Sequence, residues 1–88
     1  MFKVWVKEIK DNRLIKDITI EDSSDDTRTH KVFHALEKAS REFDLPVPIW
    51  LDLNIKEFKK SARTRFRQDS YIEEIEFDYL DFQVLEED

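Results

Sequence analysis

The chain has 88 residues and a formal net charge of -6, with 41% charged and 40% hydrophobic side chains that include seven Phe, two Trp and two Tyr. That is enough large apolar surface for one small folded core, and too little for a buried catalytic cleft of the usual size. The absence of cysteine excludes disulfide scaffolds, Cys-ligated zinc, iron–sulfur clusters and thiol catalysis; the absence of glycine excludes phosphate-cradling loops, dinucleotide-binding turns and nucleophile elbows, which need positive φ or close ligand approach.

MFKVWVKEIK alternates apolar and charged residues with no continuous apolar run, so it reads as neither a signal peptide nor a membrane span. With no cysteine, the expected location is the reducing cytoplasm. Residues 2–9 and 14–21 both alternate and predict a two-stranded hairpin. A two-residue loop would set Val6 opposite Asp17 and Phe2 opposite Glu21. A three-residue loop, Asp11-Asn12-Arg13, sets Val6 opposite Ile18 and Val4 opposite Ile20. It also pairs Lys7 with Asp17, Lys3 with Glu21 and Glu8 with Lys16. The second register is therefore expected, with Asn12 or Arg13 in the left-handed conformation. It places Trp5, Ile9 and Ile15 on the face opposite Phe2, Val4 and Val6. There Trp5 is covered by lysine and arginine stems or by a C-terminal segment, or else belongs to a partner-binding patch.

Ser, Asp and Thr precede an amphipathic run and predict a helix from about Thr27 to Phe43. Its inward face should carry Val32, Phe33, Leu36, Ala39, Ser40 and Phe43, and Asp25 and Asp26 suit its positive end. Leu45-Pro46-Val47-Pro48 forces extended backbone. Ile49-Trp50-Leu51 then reads as a short strand or a segment plugging the core. Asn54 and Glu57 have capping-box spacing for a two-turn helix, Ile55 to Lys60, with Ile55 and Phe58 inward and Asp52 as another possible cap. At the end of the chain Ile75, Phe77 and Tyr79 alternate, after which Leu80, Phe82 and Val84 continue in the other phase. That is the pattern of a β-bulge, with a chain break near Asp78 as the competing reading.

Charge reverses sharply between two neighbouring segments. Residues 53–67 hold Lys56, Lys59, Lys60, Arg63, Arg65 and Arg67 against Glu57 alone, whereas residues 68–88 hold nine acids and no base. Three readings compete for the basic run 56–67. It could bind nucleic acid, with Phe66 stacking on a base. It could hold a small anion in arginine forks. Or it could pair with the acidic C-terminal strand, within the chain or between subunits, with Phe66 in the core. Net acidity counts against nucleic acid. The acidic strand itself reads as a nucleic-acid mimic or an inhibitor that occupies a basic groove on another protein or, more simply, as an edge strand protected from association.

His30 and His34 stand four apart on the predicted helix, with Glu37 nearby, a spacing that can meet one metal ion. They lie opposite the apolar face among Lys31, Lys38 and Arg41, cations that weaken metal binding, so no metal or other cofactor is expected. Nothing assembles a nucleophile, base and oxyanion donor, and the expectation is a protein without catalysis.

The stretches DDTRTHKVF, PIWLD, TRFRQDSYIEEIEFDYL and the terminal EED resemble a family of small acidic hypothetical proteins of clostridial and related gut bacteria. The resemblance implies a bacterial cytoplasmic origin and transfers no functional residue. The sequence as a whole predicts a single α+β domain over residues 1–88. An antiparallel sheet of the N-terminal hairpin and a C-terminal strand packs against one long helix, with a short second helix. The expected core is Val4, Val6, Ile18, Ile20, Phe33, Leu36, Phe43, Trp50, Phe58, Ile75 and Phe77. The expected function is a protein-binding module or regulator, with a separate protein or a second copy as partner and no membrane, and with nucleic acid disfavoured by the net charge. Its candidate contacts are Trp5, Arg63, Arg65, Phe66, Arg67 and Tyr79. An anion or nucleic-acid site would instead use Lys59, Lys60, Arg63, Arg65 and Arg67.

Overall fold

The computed structural model describes residues 1–87. It is α+β, with a four-stranded antiparallel sheet and two helices. The strands are β1 (Phe2–Lys10), β2 (Arg13–Asp22), β3 (Arg63–Phe66) and β4 (Tyr79–Glu86), ordered β2-β1-β4-β3. The helices are α1 (Arg28–Glu42) and α2 (Asp52–Ser61).

The hairpin register is the expected one from Phe2 to Glu8: Val6 faces Ile18, Val4 faces Ile20, and Lys3, Lys7 and Glu8 face Glu21, Asp17 and Lys16. The connection differs. Ile9 pairs with Leu14 and Lys10 with Arg13, which leaves a two-residue turn and puts the extra residue, Ile15, in β2 as a bulge. Asp11 and Asn12 both have positive φ, 53° and 62°, as a type I′ turn requires, and Arg13 is a strand residue. This turn twists with the strands, which a longer loop does not have to do.

Thr27 caps α1 by accepting from the His30 N–H at 3.2 Å. The helix ends in a Schellman motif. Asp44 adopts φ 56°, its N–H goes to the Arg41 carbonyl, and the Leu45 N–H goes to that of Ser40. Its buried apolar residues are Val32, Ala35, Leu36 and Ala39, which join Phe2, Val4 and Val6 in one core. Phe33, expected in that core, is 44% exposed and meets Trp50 edge-on at 6.3 Å. Two alanines on the buried face allow close approach there and turn Phe33 toward the helix flank.

Trp50 is the plug that the Pro-containing segment delivers. Its ring stands edge-to-face with Phe58, Phe66 and Phe82 at 5.4, 5.0 and 6.2 Å. Helix α2 begins at Asp52, two residues before Asn54, so Leu51 is the cap and Asn54 is the third helical residue. Its Oδ1 accepts from the Leu51 N–H, and Ile55, expected inward, is 40% exposed while Phe58 is buried.

The C-terminal alternation is not one bent strand. Residues 71–78 have no strand structure, and β4 starts at Tyr79, so the phase change marks a chain break and not a bulge at Asp78. Side-chain hydrogen bonds hold the irregular segment: Gln68 donates to the Glu73 carbonyl and accepts from the Ile75 N–H, at 2.8 and 2.9 Å. The Asp78 carboxylate accepts from the Asp11 N–H, tying this segment to the hairpin turn. A bulge does occur at Leu85, between the pairs Val4–Val84 and Lys3–Glu86. Phe77 is buried as expected, while Ile18, Trp50 and Ile75 are half-buried against the core. Phe2, Phe66, Tyr71, Leu80 and Phe82 complete it.

Two stability changes are expected. Ala62 caps α2 at φ 54°, a conformation in which its Cβ crowds the backbone, so Ala62→Gly should raise stability by about 1 kcal/mol in urea unfolding. The Tyr71 hydroxyl is buried without a hydrogen-bond partner, and burial, reinforced by the charge of Glu8, pushes its pKa above the ordinary 10.0. The phenolate is therefore disfavoured in the folded chain. Stability should hold below that value and fall as pH rises past it. Tyr71→Phe should abolish the alkaline loss and add about 1 kcal/mol near neutral pH.

Candidate functional site

The basic run contains strand β3, an element not expected from the sequence. Arg63, Thr64, Arg65 and Phe66 of β3 pair with Gln83, Phe82, Asp81 and Leu80 of β4. Alternation sends Thr64 and Phe66 inward and the arginines outward. Phe66 is 0% exposed, so it is a core residue and cannot stack on a base.

The remaining candidates divide by what already holds them. Arg63 is committed to Asp81, donating from Nε at 3.0 Å and from an Nη at 2.5 Å. Asp81 is 2% exposed and also pairs with Lys7 at 3.8 Å. The hydrogen bond to this carboxylate, with its charge, holds the Arg63 pKa above its ordinary value. Arg65, although directly opposite Asp81, lies over the Tyr79 ring at 4.6 Å, and Arg67 approaches the same ring at 5.8 Å. Among the described residues Lys56, Lys59, Lys60, Arg65 and Arg67 have no ion-pair partner.

An open groove of about 430 Å³ joins the end of α2 to β3, lined by Lys60, Arg63, Arg65 and Arg67 with Glu57, Ser61 and Thr64. Glu57 accepts from the Thr64 hydroxyl at 2.7 Å, so its charge is anchored at one wall. Lys60 and Lys59 occupy the last turn of α2, where the helix dipole favours cations. Lys59 does not reach the groove. It lines a shallow apolar cleft with Phe33, Trp50 and Ile55. Trp5 lies two strands away on the outer sheet face; its indole N–H donates to Asp17 at 2.9 Å and Lys7 covers its ring at 4.0 Å.

Asn54 positions the groove. Buried at 3% exposure, it donates to the Thr64 hydroxyl and the Arg65 carbonyl at 2.9 and 3.0 Å, and accepts from Ser70 at 3.3 Å. A carbonyl of β3 is thereby satisfied from α2 and not by another strand, which discourages edge-to-edge association. Asn54, Asp81 and Glu57 escaped sequence reasoning as site-forming residues. The usable signal for Asp81 was a lone acid between apolar neighbours in LDF, a pattern that requires a cation across the strand.

The histidine pair is held locally. His30 Nδ1 lies 2.8 Å from Asp26 Oδ1, and its ring stacks on His34 with centroids 6.2 Å apart. The His30 hydrogen bond and the Thr27 N–H keep the Asp26 pKa below the usual carboxylate value. Among the described residues no three His, Cys, Asp or Glu side chains group to hold a metal ion, and no helix is long and apolar enough to cross a membrane. No family model, no curated protein and no solved structure matches the chain.

Removing the Asn54 side chain strands the Thr64 and Arg65 partners in a buried place. Asn54→Ala should cost about 2–3 kcal/mol in urea unfolding. It should also speed amide exchange in β3 more than in the hairpin.

Proposed function

We propose that this protein is a binding module without catalysis that engages an acidic segment of a protein partner through Lys60, Arg65 and Arg67. One observation carries the reading: these three cations face one groove with no ion-pair partner among the described residues, while their neighbour Arg63 is neutralised by Asp81. Clustered cations left unneutralised repel one another, so an anionic occupant gains by relieving that repulsion. In this reading α1 covers the inner face of the sheet, and the outer face and β3 edge are left for partners. Tyr79, beneath the two arginines, pre-orients their guanidinium planes and lowers the entropy lost on binding. The acidic segment could belong to a separate protein or to a second copy of this chain. A cytoplasmic setting agrees with this chemistry.

A second reading, a phosphate-bearing ligand or nucleic acid in the same groove, is favoured by the paired arginine forks. The net charge of -6 opposes an extended polyanion, which would meet repulsion beyond the groove.

The test compares Arg65→Glu/Arg67→Glu with wild type in capture from a lysate with and without nuclease, alongside melting curves. An acidic protein that survives nuclease, is lost with the double variant and leaves the melting temperature unchanged is the expected result. A nuclease-sensitive catch would establish the second reading, and equal capture by both proteins would remove the groove from either. Arg63→Glu should instead lower stability, by about 1–3 kcal/mol, because it strands Asp81; the guanidinium's 40% exposure keeps the cost below that of a fully buried pair.

A further inference from the structure

Glu8 breaks the pattern of its own strand. The alternation that buries Phe2, Val4 and Val6 brings Glu8 to the next inward position, where it is 7% exposed. Lys16 stands opposite it across the hairpin but makes no ion pair with it, and its neighbour on β4 is Leu80. Among the described residues no hydrogen bond reaches its carboxylate, and the nearby Tyr71 hydroxyl, itself without a partner, does not supply one. The Glu8 oxygens keep some contact with solvent, but a carboxylate with so little exposure and no ion pair costs the fold stability. Such a group at a position designed for an apolar side chain calls for a ligand.

What exposure Glu8 retains opens into a cavity of about 410 Å³, separate from the basic groove. Apolar walls come from Phe43, Leu45 and Phe77, and Asp44, Glu73, Glu74 and Glu76 also line the cavity. With Glu8 that makes five carboxylates against the two cations Lys10 and Lys16. The acids do not converge as metal ligands do. They stand apart around hydrocarbon, which suits separated ammonium groups joined by methylenes better than one compact ion.

We propose that this cavity binds a linear aliphatic polyamine. One ammonium sits on Glu8, the methylene chain lies along Phe43 and Phe77, and a second ammonium lies among Glu73, Glu74 and Glu76. The buried carboxylate supplies the strongest contact because water competes least there, and the outer acids supply attraction and orientation.

Spermidine is the probe, by titration calorimetry at about 0.15 M salt, with Glu8→Gln and Glu8→Met as variants. Wild type should bind one equivalent, and either substitution should weaken binding by at least about tenfold. Glu8→Met should at the same time raise the melting temperature by a few degrees, the signature of a residue that serves a ligand at the expense of the fold. Glu21→Gln, on β2 outside the cavity, should leave binding unchanged. Amide shifts of the wild-type protein give a reading that needs no variant to fold: spermidine should move Glu8, Phe43 to Leu45 and Glu73 to Phe77. Shifts scattered over every acidic surface, affinity unchanged by Glu8→Gln, or equal competition by magnesium ion would overturn the proposal.

Discussion

Asp81 is the carboxylate on which the assembly of the sheet depends. It lies in the middle of β4, 2% exposed, between Lys7 of β1 and Arg63 of β3. A charge so placed is tolerable only if cations reach it from its neighbours, and each neighbouring strand supplies one. Lys7 comes from the directly opposed position and Arg63 from the diagonal one, since Arg63 itself opposes Gln83. Outward Asp81 fixes Leu80 and Phe82 as inward, and the pairing of β3 then sends Thr64 and Phe66 the same way. Phe66 thus reaches Trp50, and the aromatic cluster around that plug closes.

The same geometry divides the basic run. Arg63 is spent on the sheet, whereas Arg65, opposite Asp81 yet turned onto Tyr79, and Arg67 beyond it are not. Asn54 sets this edge against α2, and Lys60 arrives from the last turn of that helix. The run is therefore neither a purely solvated face nor a purely internal pairing. One arginine answers the acidic strand, and the cations left over make the groove. At the far side of the core Glu8 presents the opposite sign without any such answer. The molecule carries two concavities of opposite charge beside two residues that depart from ordinary alternation in different ways, one outward and buried, the other inward and without an ion pair among the described residues.

Much of the hairpin could be read from residue types, because only one register puts Val6 on Ile18 and gives three opposite-charge pairs together. The turn could not be, since a three-residue loop and a two-residue turn followed by a bulge produce the same pairing beyond Glu8. Helix α1 announced itself by Thr27 and the spacing of Val32, Leu36, Ala39 and Phe43; its rotation depended also on Ala35, a small residue that periodicity weighs lightly, and Phe33 was misplaced for that reason. Strand β3 was hidden because Arg-Thr-Arg-Phe shows only two inward residues, too short an alternation to stand out in a charged run. The alternation of Ile75, Phe77 and Tyr79 misled because the hydrogen bonds of Gln68 and Asp78, which hold that segment out of the sheet, join residues distant in sequence or specific to one loop shape. Of the candidate site, the arginines were visible and their different fates were not, since these hang on Asp81, which lies on the paired strand β4, 18 residues along the chain from Arg63.

A double-mutant cycle in urea unfolding tests that division most directly, with Arg63→Met and Asp81→Asn on one square and Arg65→Met and Asp81→Asn on the other. The account predicts a coupling of about 1–3 kcal/mol for Arg63 with Asp81 and less than about 0.5 kcal/mol for Arg65 with Asp81. Equal couplings, or a larger one for Arg65, would mean that the arginine assigned to the groove is holding the sheet, and the account would be wrong.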